Sequence, residues 1–236
     1  MKKVLYLVLL LSTLISCSEE ESRKEYYYSL SETTEAKIYK YVIDGDDNQV
    51  QYWKVTTIPE SSFIVTETYD SDLILLEKFE EVITEQGAEL IGYTEFRSID
   101  IGGVFTEQIG IKTKVIQKDV YKWNSSFSYS WSVEFPIEYG GNTLTKTRTQ
   151  SNIETIKVGG KEYKTATFND EYCFNKNEGK KKEEIKNTMY QKTFYAKDIG
   201  VIKTERRFLG EQELLTIELS EVLTNREFEL MLIRDK

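Results

Sequence analysis

Aromatic and aliphatic residues alternate with serine and glutamate along Phe127–Phe135, which is the clearest pattern in the chain. Successive side chains of a strand point to opposite faces, so this segment is expected to bury one face and expose the other. Runs rich in β-branched and aromatic residues recur along the rest of the chain, separated by short clusters of Gly, Asp and Asn. This arrangement is typical of antiparallel strands joined by hairpin turns, and Gly159-Gly160 suits a two-residue turn of this kind.

The same pattern predicts a series of further strands and leaves two segments undecided. The further predicted strands are residues 36–43, 49–58, 63–69, 88–98, 111–123, 143–150, 153–158, 161–168, 188–196, 201–208 and 213–222. Residues 73–84 fit a helix or a strand, with the strand favoured, and residues 225–236 fit a short helix or an edge strand. Residues 99–110 and 175–187 are predicted to be loops. No Pro/Ser-rich linker divides the chain, so one all-β domain is expected over residues 26–236.

The first residues carry an export signal. Lys2 and Lys3 precede an apolar run, Val4–Ile15, that is too short for the roughly 20 residues of a membrane-spanning helix. The run ends in Leu-Ile-Ser-Cys, which resembles the lipobox of bacterial lipoproteins. This resemblance implies that residues 1–16 are a cleaved signal peptide, that Cys17 is acylated, and that residues 17–25 form a tether.

The residues after the cysteine bear on the location of the protein. Ser18, Glu19, Glu20 and Glu21 follow Cys17. This acidic segment is similar to the export tag of surface lipoproteins in Bacteroidota, and serine rather than aspartate after the cysteine favours the outer membrane. The expected location is therefore the outer membrane, held through lipid, with exposure at the cell surface as a hypothesis.

Charge limits the partners of the protein. The formal net charge is −9 for 236 residues, and loss of Lys2 and Lys3 with the signal peptide gives −9 − 2 = −11. An acidic chain is repelled by phosphate backbones and anionic headgroups, so nucleic acid is excluded and the membrane is reached through Cys17. The chain has 2 cysteines, so acylation of one leaves no intramolecular disulfide.

The composition also excludes the common catalytic and metal sites. The chain has 0 histidines, which removes Ser-His-Asp and Cys-His nucleophile pairs and histidine-ligated metals. Asp44, Asp46 and Asn48 match the first ligand positions of a calcium loop, but Gln49 and Val55 stand where glycine and glutamate are needed. A plain turn is therefore expected. No catalytic residue, cofactor or metal site is predicted, and the protein is expected not to be an enzyme.

Two segments of the C-terminal half carry a family resemblance. They are IKVGGKEYKTA over Ile156–Ala166 and YAKDIGVIK over Tyr195–Lys203. This pair resembles uncharacterised exported proteins of Bacteroidota and other bacteria that are related to the Lol lipoprotein carriers. The resemblance covers roughly residues 120–222 and implies a single curved antiparallel sheet, or half-barrel, with an apolar concave face. Asp198 stands where that pattern usually has glycine.

These observations favour two functions. The first is a non-enzymatic envelope lipoprotein that binds a lipid or other apolar ligand on the concave sheet, with Tyr129, Trp131, Tyr190 and Phe194 as candidate lining residues. The second is a structural or interaction module that holds partner proteins at the cell envelope through uncovered sheet edges.

Overall fold

Fourteen antiparallel strands form one continuous sheet in the computed structural model, which describes residues 22–30, 35–101, 105–124, 127–178, 181–183 and 188–234. The predicted signal peptide (1–16), the predicted acylation site Cys17 and the predicted export tag (18–21) lie outside the described residues. The strands are β1 Lys37–Ile43, β2 Asp46–Ile58, β3 Phe63–Tyr69, β4 Leu75–Ile83, β5 Gly87–Ile101, β6 Phe105–Lys112, β7 Lys114–Lys122, β8 Tyr129–Glu134, β9 Thr143–Val158, β10 Lys161–Glu178, β11 Lys181–Glu183, β12 Met189–Ala196, β13 Gly200–Phe208 and β14 Leu215–Thr224. One α-helix, α1, covers Asn225–Arg234, and single 3₁₀ turns cover Lys24–Tyr26, Pro59–Ser61 and Ile137–Tyr139.

Twelve of the strands close into a ring. Neighbours in the ring follow the chain order. The other two strands lie outside the ring: among the described residues β6 pairs only with β5, and β11 pairs only with β10. The ring closes between the first and last strands, β1 and β14, where Lys37 pairs with Thr224 and Ile43 with Ile217. The prediction of an all-β antiparallel sheet is therefore confirmed, but the sheet closes into a full barrel rather than a half-barrel. Closure removes the two free edges that a half-barrel would expose.

The segment before β1 fills part of the barrel interior. The side chains of an eight-stranded barrel are enough to fill its interior, and a barrel of twelve strands has a wider interior. Tyr26 and Tyr27 are buried there, and the Tyr27 ring lies 4.7 Å from that of Tyr121. The backbone N–H of Arg23 donates to the carbonyl of Trp123 at 3.1 Å. Residues 23–27 thus pack against the ring.

Most of the predicted strands coincide with observed ones. Residues 73–84 contain β4, as favoured, and residues 225–234 form the short helix. Gly159 and Gly160, with φ of +54° and +84°, form the predicted two-residue hairpin turn between β9 and β10. Asp198 takes φ of +61°, a conformation that aspartate tolerates, so the turn is retained without glycine.

Two predicted loops are wrong. Residues 99–110 lie mainly in the paired strands β5 and β6, and residues 175–187 contain the end of β10 and the short strand β11. The predicted strands at 143–150 and 153–158 are one strand, β9. Glycines in 99–110 and lysine and glutamate in 175–187 favour loops, but strand pairing satisfies the backbone groups of both hairpins.

Helix α1 packs on the outside of the ring. Phe228 is fully buried, and its ring lies 5.6 Å from Tyr52 of β2 and 5.1 Å from Tyr69 of β3. The Thr224 hydroxyl and the Glu227 carboxylate cap its first turn reciprocally. None of the helices in the described part of the chain combines the length and the apolarity that a membrane-crossing helix needs.

Candidate ligand cavity in the barrel

The barrel interior contains a cavity of about 120 Å³. Inward-facing side chains of nine strands line it, together with Tyr27 and Tyr28 from the segment before β1. Aromatic rings form part of the lining, among them Trp53, Phe79 and Trp131. Charged side chains form another part: Glu77 and Glu81 of β4, Lys146 and Arg148 of β9, and Arg206 of β13. This lining combines ring faces with charge, unlike the apolar concave face implied by the sequence resemblance.

Asp170 of β10 organises the basic side of the cavity from directly behind the lining. Arg148 pairs with it through two parallel bonds, Nε to Oδ1 at 2.7 Å and Nη2 to Oδ2 at 2.9 Å. The Lys146 ammonium lies 3.0 Å from Oδ2, and the Thr193 hydroxyl donates to the same oxygen at 2.7 Å. Oδ2 thus accepts three of these four donors, and Oδ1 accepts one. One negative charge is thus shared between two cations.

The strand register explains why these groups meet. Arg148 of β9 lies directly opposite Asp170 of β10, which in turn lies opposite Gln191 of β12. Side chains that are directly opposite on one face of a sheet have Cβ atoms about 4.5–5.5 Å apart, within reach of an ion pair. The network is therefore built into the pairing of three consecutive ring strands.

Arg206 connects to the same network through neutral groups. Its Nε donates to Gln191 Oε1 at 2.7 Å, and Gln191 Nε2 donates to the Thr193 hydroxyl at 2.8 Å. Arg206 forms no ion pair with a described residue. Its guanidinium has five N–H donors, and the Nε–H is the one that bonds to a described residue.

The acidic side of the cavity lies on β4. Tyr27 donates its phenol hydrogen to Glu81 Oε2 at 2.8 Å, and Tyr93 donates to Glu77 Oε2 at 3.2 Å. Glu77 and Glu81 are four residues apart and therefore share the inward face of the strand. Tyr27 thus links the segment before β1 to the wall of the cavity.

Burial and neighbouring charge set the protonation of these groups. Burial raises the pKa of Glu81 to about 7, although the Tyr27 hydrogen bond and the charges of Arg148 and Lys146 act in the opposite direction. Burial also raises the pKa of Glu77. Burial alone would raise the pKa of Asp170, but Arg148 and Lys146 hold it well below its usual range. At neutral pH, Glu81 is therefore only partly ionised while Asp170 is fully ionised.

The basic groups of the lining outweigh its acids. Burial and the charge of Arg148 lower the pKa of Lys146, whereas Asp170 acts to raise it. Arg148 and Arg206 remain charged because arginine does not lose its proton in proteins. Three cations thus face Asp170, Glu77 and a partly neutral Glu81. The cluster carries a positive excess whenever Glu81 is protonated.

Trp53 of β2 lines the cavity through its ring but not through its indole N–H. The Nε1–H is buried, closed to a water-sized molecule, and has no acceptor among the described residues. An indole nitrogen can only donate, and a buried donor without an acceptor costs about 1–3 kcal/mol. This cost belongs to the packing of the wall around Trp53.

The structure separates the four residues predicted to line a concave face. Trp131 of β8 lines the cavity. Tyr129 is buried in the same strand but borders a different pocket, which is also lined by Trp123. Tyr190 is 44% exposed on the outer face of β12, and Phe194 lies in a separate cluster with Val158 and Ile202. Tyr190 and Phe194 do not line this cavity, because Gln191, Thr193 and Tyr195 are the inward residues of β12.

Sequence reasoning missed the charged residues of the cavity. The signal was present in TLTKTRTQ over 143–150, where alternate positions carry Leu144, Lys146 and Arg148 between threonines. A charged side chain at every second position usually marks the solvent face of a strand, whereas here that face points inward. Within the described residues, no cluster of three or more Cys, Asp or Glu side chains could hold a metal ion.

Comparisons with known proteins give little beyond this geometry. No protein-family model and no curated protein matches the chain. One similar structure is a crystallised protein of Bacteroides fragilis, inferred to be exported and assigned a YmcC-like fold. The two chains are 12% identical, with a TM-score of 0.47, and the match covers 84% of this chain and 98% of the other. A crystallised protein of Parabacteroides distasonis, inferred to be a lipoprotein, is 12% identical with a TM-score of 0.45, over 84% of this chain and 98% of its own. The resemblance to the Lol carriers stays a prediction, because neither match bears on it.

Proposed function

We propose that this chain is a lipid-anchored envelope protein that is not an enzyme and that binds a small polar ligand inside its barrel. The observation that carries this proposal is the cavity of about 120 Å³ in the barrel, lined by five charged side chains and by aromatic rings. Small-molecule sites are typically concave, with ring faces and a few convergent polar groups. The lining has both features.

The lining argues against the lipid or apolar ligand expected from the sequence. An acyl chain in this cavity would cover Lys146, Arg206 and Glu77 without offering them a hydrogen-bond partner. Burying a charge against hydrocarbon costs several kcal/mol per group. A ligand that supplies polar atoms avoids this cost.

Native mass spectrometry tests the binding proposal. The full chain is expressed in a bacterial envelope, extracted in detergent and measured before and after denaturation. We expect a reproducible extra mass in the native spectrum that is lost on denaturation. Lys146→Met should lower its occupancy, whereas Lys192→Met, on the outer face of β12, should not. A bare protein mass in every preparation, with no added small molecule retained, would contradict the proposal.

The location of the protein is part of the same proposal. We place the chain at the outer membrane through acylated Cys17, with the Ser18–Glu21 segment directing it to the cell surface. External protease should then cut the protein on intact cells, and Cys17→Ser should release it from the membrane fraction. Protection on intact cells with digestion after lysis would overturn the surface location but not the anchor.

A module that holds partner proteins is the second candidate. The observation that favours it is β6, which pairs with β5 only among the described residues and thus leaves one strand edge open. A photo-crosslinker at Glu107 of β6 should capture a partner in cells, whereas one at Lys161, in the β9–β10 hairpin, should not. Recovery of monomer alone from both positions would reject this candidate.

A further inference from the structure

We propose that the ligand of the cavity is a small organic monoanion, a carboxylate with a compact apolar or aromatic body. This inference rests on the proposed function and specifies its ligand class. The observations behind it are the donors that the cavity leaves available, the balance of charge around them, and the rings beside them.

The available hydrogen-bonding groups are mostly donors. Lys146 has three N–H donors and directs one contact to Asp170, while Arg206 directs its Nε to Gln191. A ligand that fits these groups must bring acceptor atoms, and a carboxylate brings two oxygens with about four lone-pair positions.

The acids of the cluster are already engaged. Asp170 accepts four donors from Arg148, Lys146 and Thr193. Glu77 accepts the Tyr93 hydroxyl, and Glu81 accepts the Tyr27 hydroxyl. The cations that face the cavity thus have spare capacity, while the carboxylates that face it are partly satisfied. A cationic ligand would meet Arg206 and Lys146 at close range and be repelled.

The number of charged groups favours a monoanion. Three cations and three carboxylates meet at the cavity, so one added negative charge is balanced when one of the two buried glutamates of the lining takes up a proton. A dianion such as a phosphate monoester would overshoot this balance in a site where uncompensated buried charge is costly. Trp131 and Phe79, with ring centroids 5.6 Å apart, lie on the same wall and offer an apolar surface to the body of the ligand.

Binding of benzoate to the full-length chain in detergent tests this inference. We expect benzoate to bind in calorimetry and in tryptophan fluorescence, and benzamide and benzylamine to bind at least about tenfold more weakly. Arg206→Gln should weaken benzoate binding about tenfold or more, the loss of one charge-assisted hydrogen bond. Arg207→Gln is the matched control, because Arg207 is the next residue of β13 and is exposed.

The outcomes separate this inference from the proposed function. Tighter binding of benzylamine or benzamide than of benzoate, or equal loss in the Arg206 and Arg207 variants, would overturn the monoanion while leaving a ligand site in place. A native adduct identified as neutral or cationic would do the same. No adduct and no binding of any of the three probes would overturn both. Circular dichroism of each variant confirms that the fold is retained.

Discussion

At the scale of single residues, the ionisable groups in the barrel are more costly to alter than those on its surface. Asp170 is 1% exposed and neutralises two buried cations, whereas the side chains of the Lys122–Asp119 ion pair are 20% and 34% exposed. Removing one partner of a buried pair leaves an uncompensated charge, while surface pairs contribute little. Stability measurements can therefore separate the two kinds of site.

Asp170→Asn should lower the free energy of unfolding by about 3–5 kcal/mol, because Arg148 and Lys146 lose their buried counter-charge. Asp119→Asn, at the surface pair, should lower it by less than about 1 kcal/mol. Denaturant titrations of both variants measure the two changes. Equal effects would show that the network in the barrel is reached by solvent.

Glu81 makes stability depend on pH. The folded state holds its proton more tightly than the unfolded chain, since its pKa rises from 4.5 to about 7. The free energy of unfolding should therefore fall as pH rises from about 4.5, with the loss complete above about 7 and amounting to roughly 3 kcal/mol. The groups that face this carboxyl are Tyr27, Arg148 and Lys146. Glu81→Gln should remove this dependence and stabilise the protein at pH 8.

Glu80→Gln is the control for this prediction, because Glu80 is adjacent to Glu81 in β4 and its side chain, which pairs with Lys78, is 39% exposed. It should leave the pH profile of unfolding unchanged. Parallel profiles for the wild type and for Glu81→Gln would show that Glu81 titrates normally in the folded state.

At the scale of elements, residues 23–28, before β1, are held against the inner face of the ring by contacts with the turn between β12 and β13. Tyr28 packs against the backbone at Gly200 of β13 so closely that a Cβ there would lie 2.2 Å from the Tyr28 Cε1 atom. The backbone N–H of Asp198 donates to the carbonyl of Glu25 at 2.8 Å, and Lys197 pairs with the Glu25 carboxylate. The turn between β12 and β13 thus fixes the segment that carries Tyr27 into the cavity.

Gly200→Ala should displace Tyr28 and loosen this segment. Gly160→Ala is matched to it in backbone conformation, with φ of +84° against +97°, but has no atom within 4 Å of the added Cβ. The Gly200 variant should therefore be less stable than the Gly160 variant by about 1–3 kcal/mol, the cost of overpacking. Thermal unfolding compares the two, and hydrogen exchange at residues 23–28 should accelerate only in the Gly200 variant. Equal stability would mean that Tyr28 is free to move aside.

At the scale of the whole molecule, closure of the ring rests on a single pairing between the ends of the chain. Lys40 of β1 lies opposite Glu221 of β14, and their side chains form an ion pair at 3.0 Å. Residues directly opposite in an antiparallel pair have the Cβ spacing that a disulfide needs after small adjustment. An open half-barrel would hold these positions far apart.

Lys40→Cys combined with Glu221→Cys, in a Cys173→Ala background, should form a disulfide under mild oxidation and raise stability by about 2–4 kcal/mol. Mass spectrometry of the oxidised protein detects the bond. Lys40→Cys combined with Glu211→Cys, in the turn before β14, should stay reduced. Failure of the first pair to oxidise, with the protein folded, would contradict the closed ring.

Local chemistry determined most of the elements of this fold. Alternation along Phe127–Phe135, the Gly159-Gly160 turn and the spacing of apolar runs predicted strands and hairpins because these features depend on residues close in sequence. The charge of the chain and its lack of histidine likewise follow from composition alone. The export signal was also read locally, and it stays a prediction because it lies outside the described residues.

Tertiary structure alone decided which face of each strand points inward and where the sheet ends. Closure depends on the pairing of β1 with β14, which lie near opposite ends of the sequence. No local sequence pattern encodes a contact between residues so far apart in the chain. The inward position of Lys146, Arg148 and Asp170 depends on closure as well. The charged face of a strand normally points to solvent, and it can point inward here because the closed ring brings opposite charges together inside. Burial then gives Glu81 its raised pKa, which its sequence neighbours do not predict.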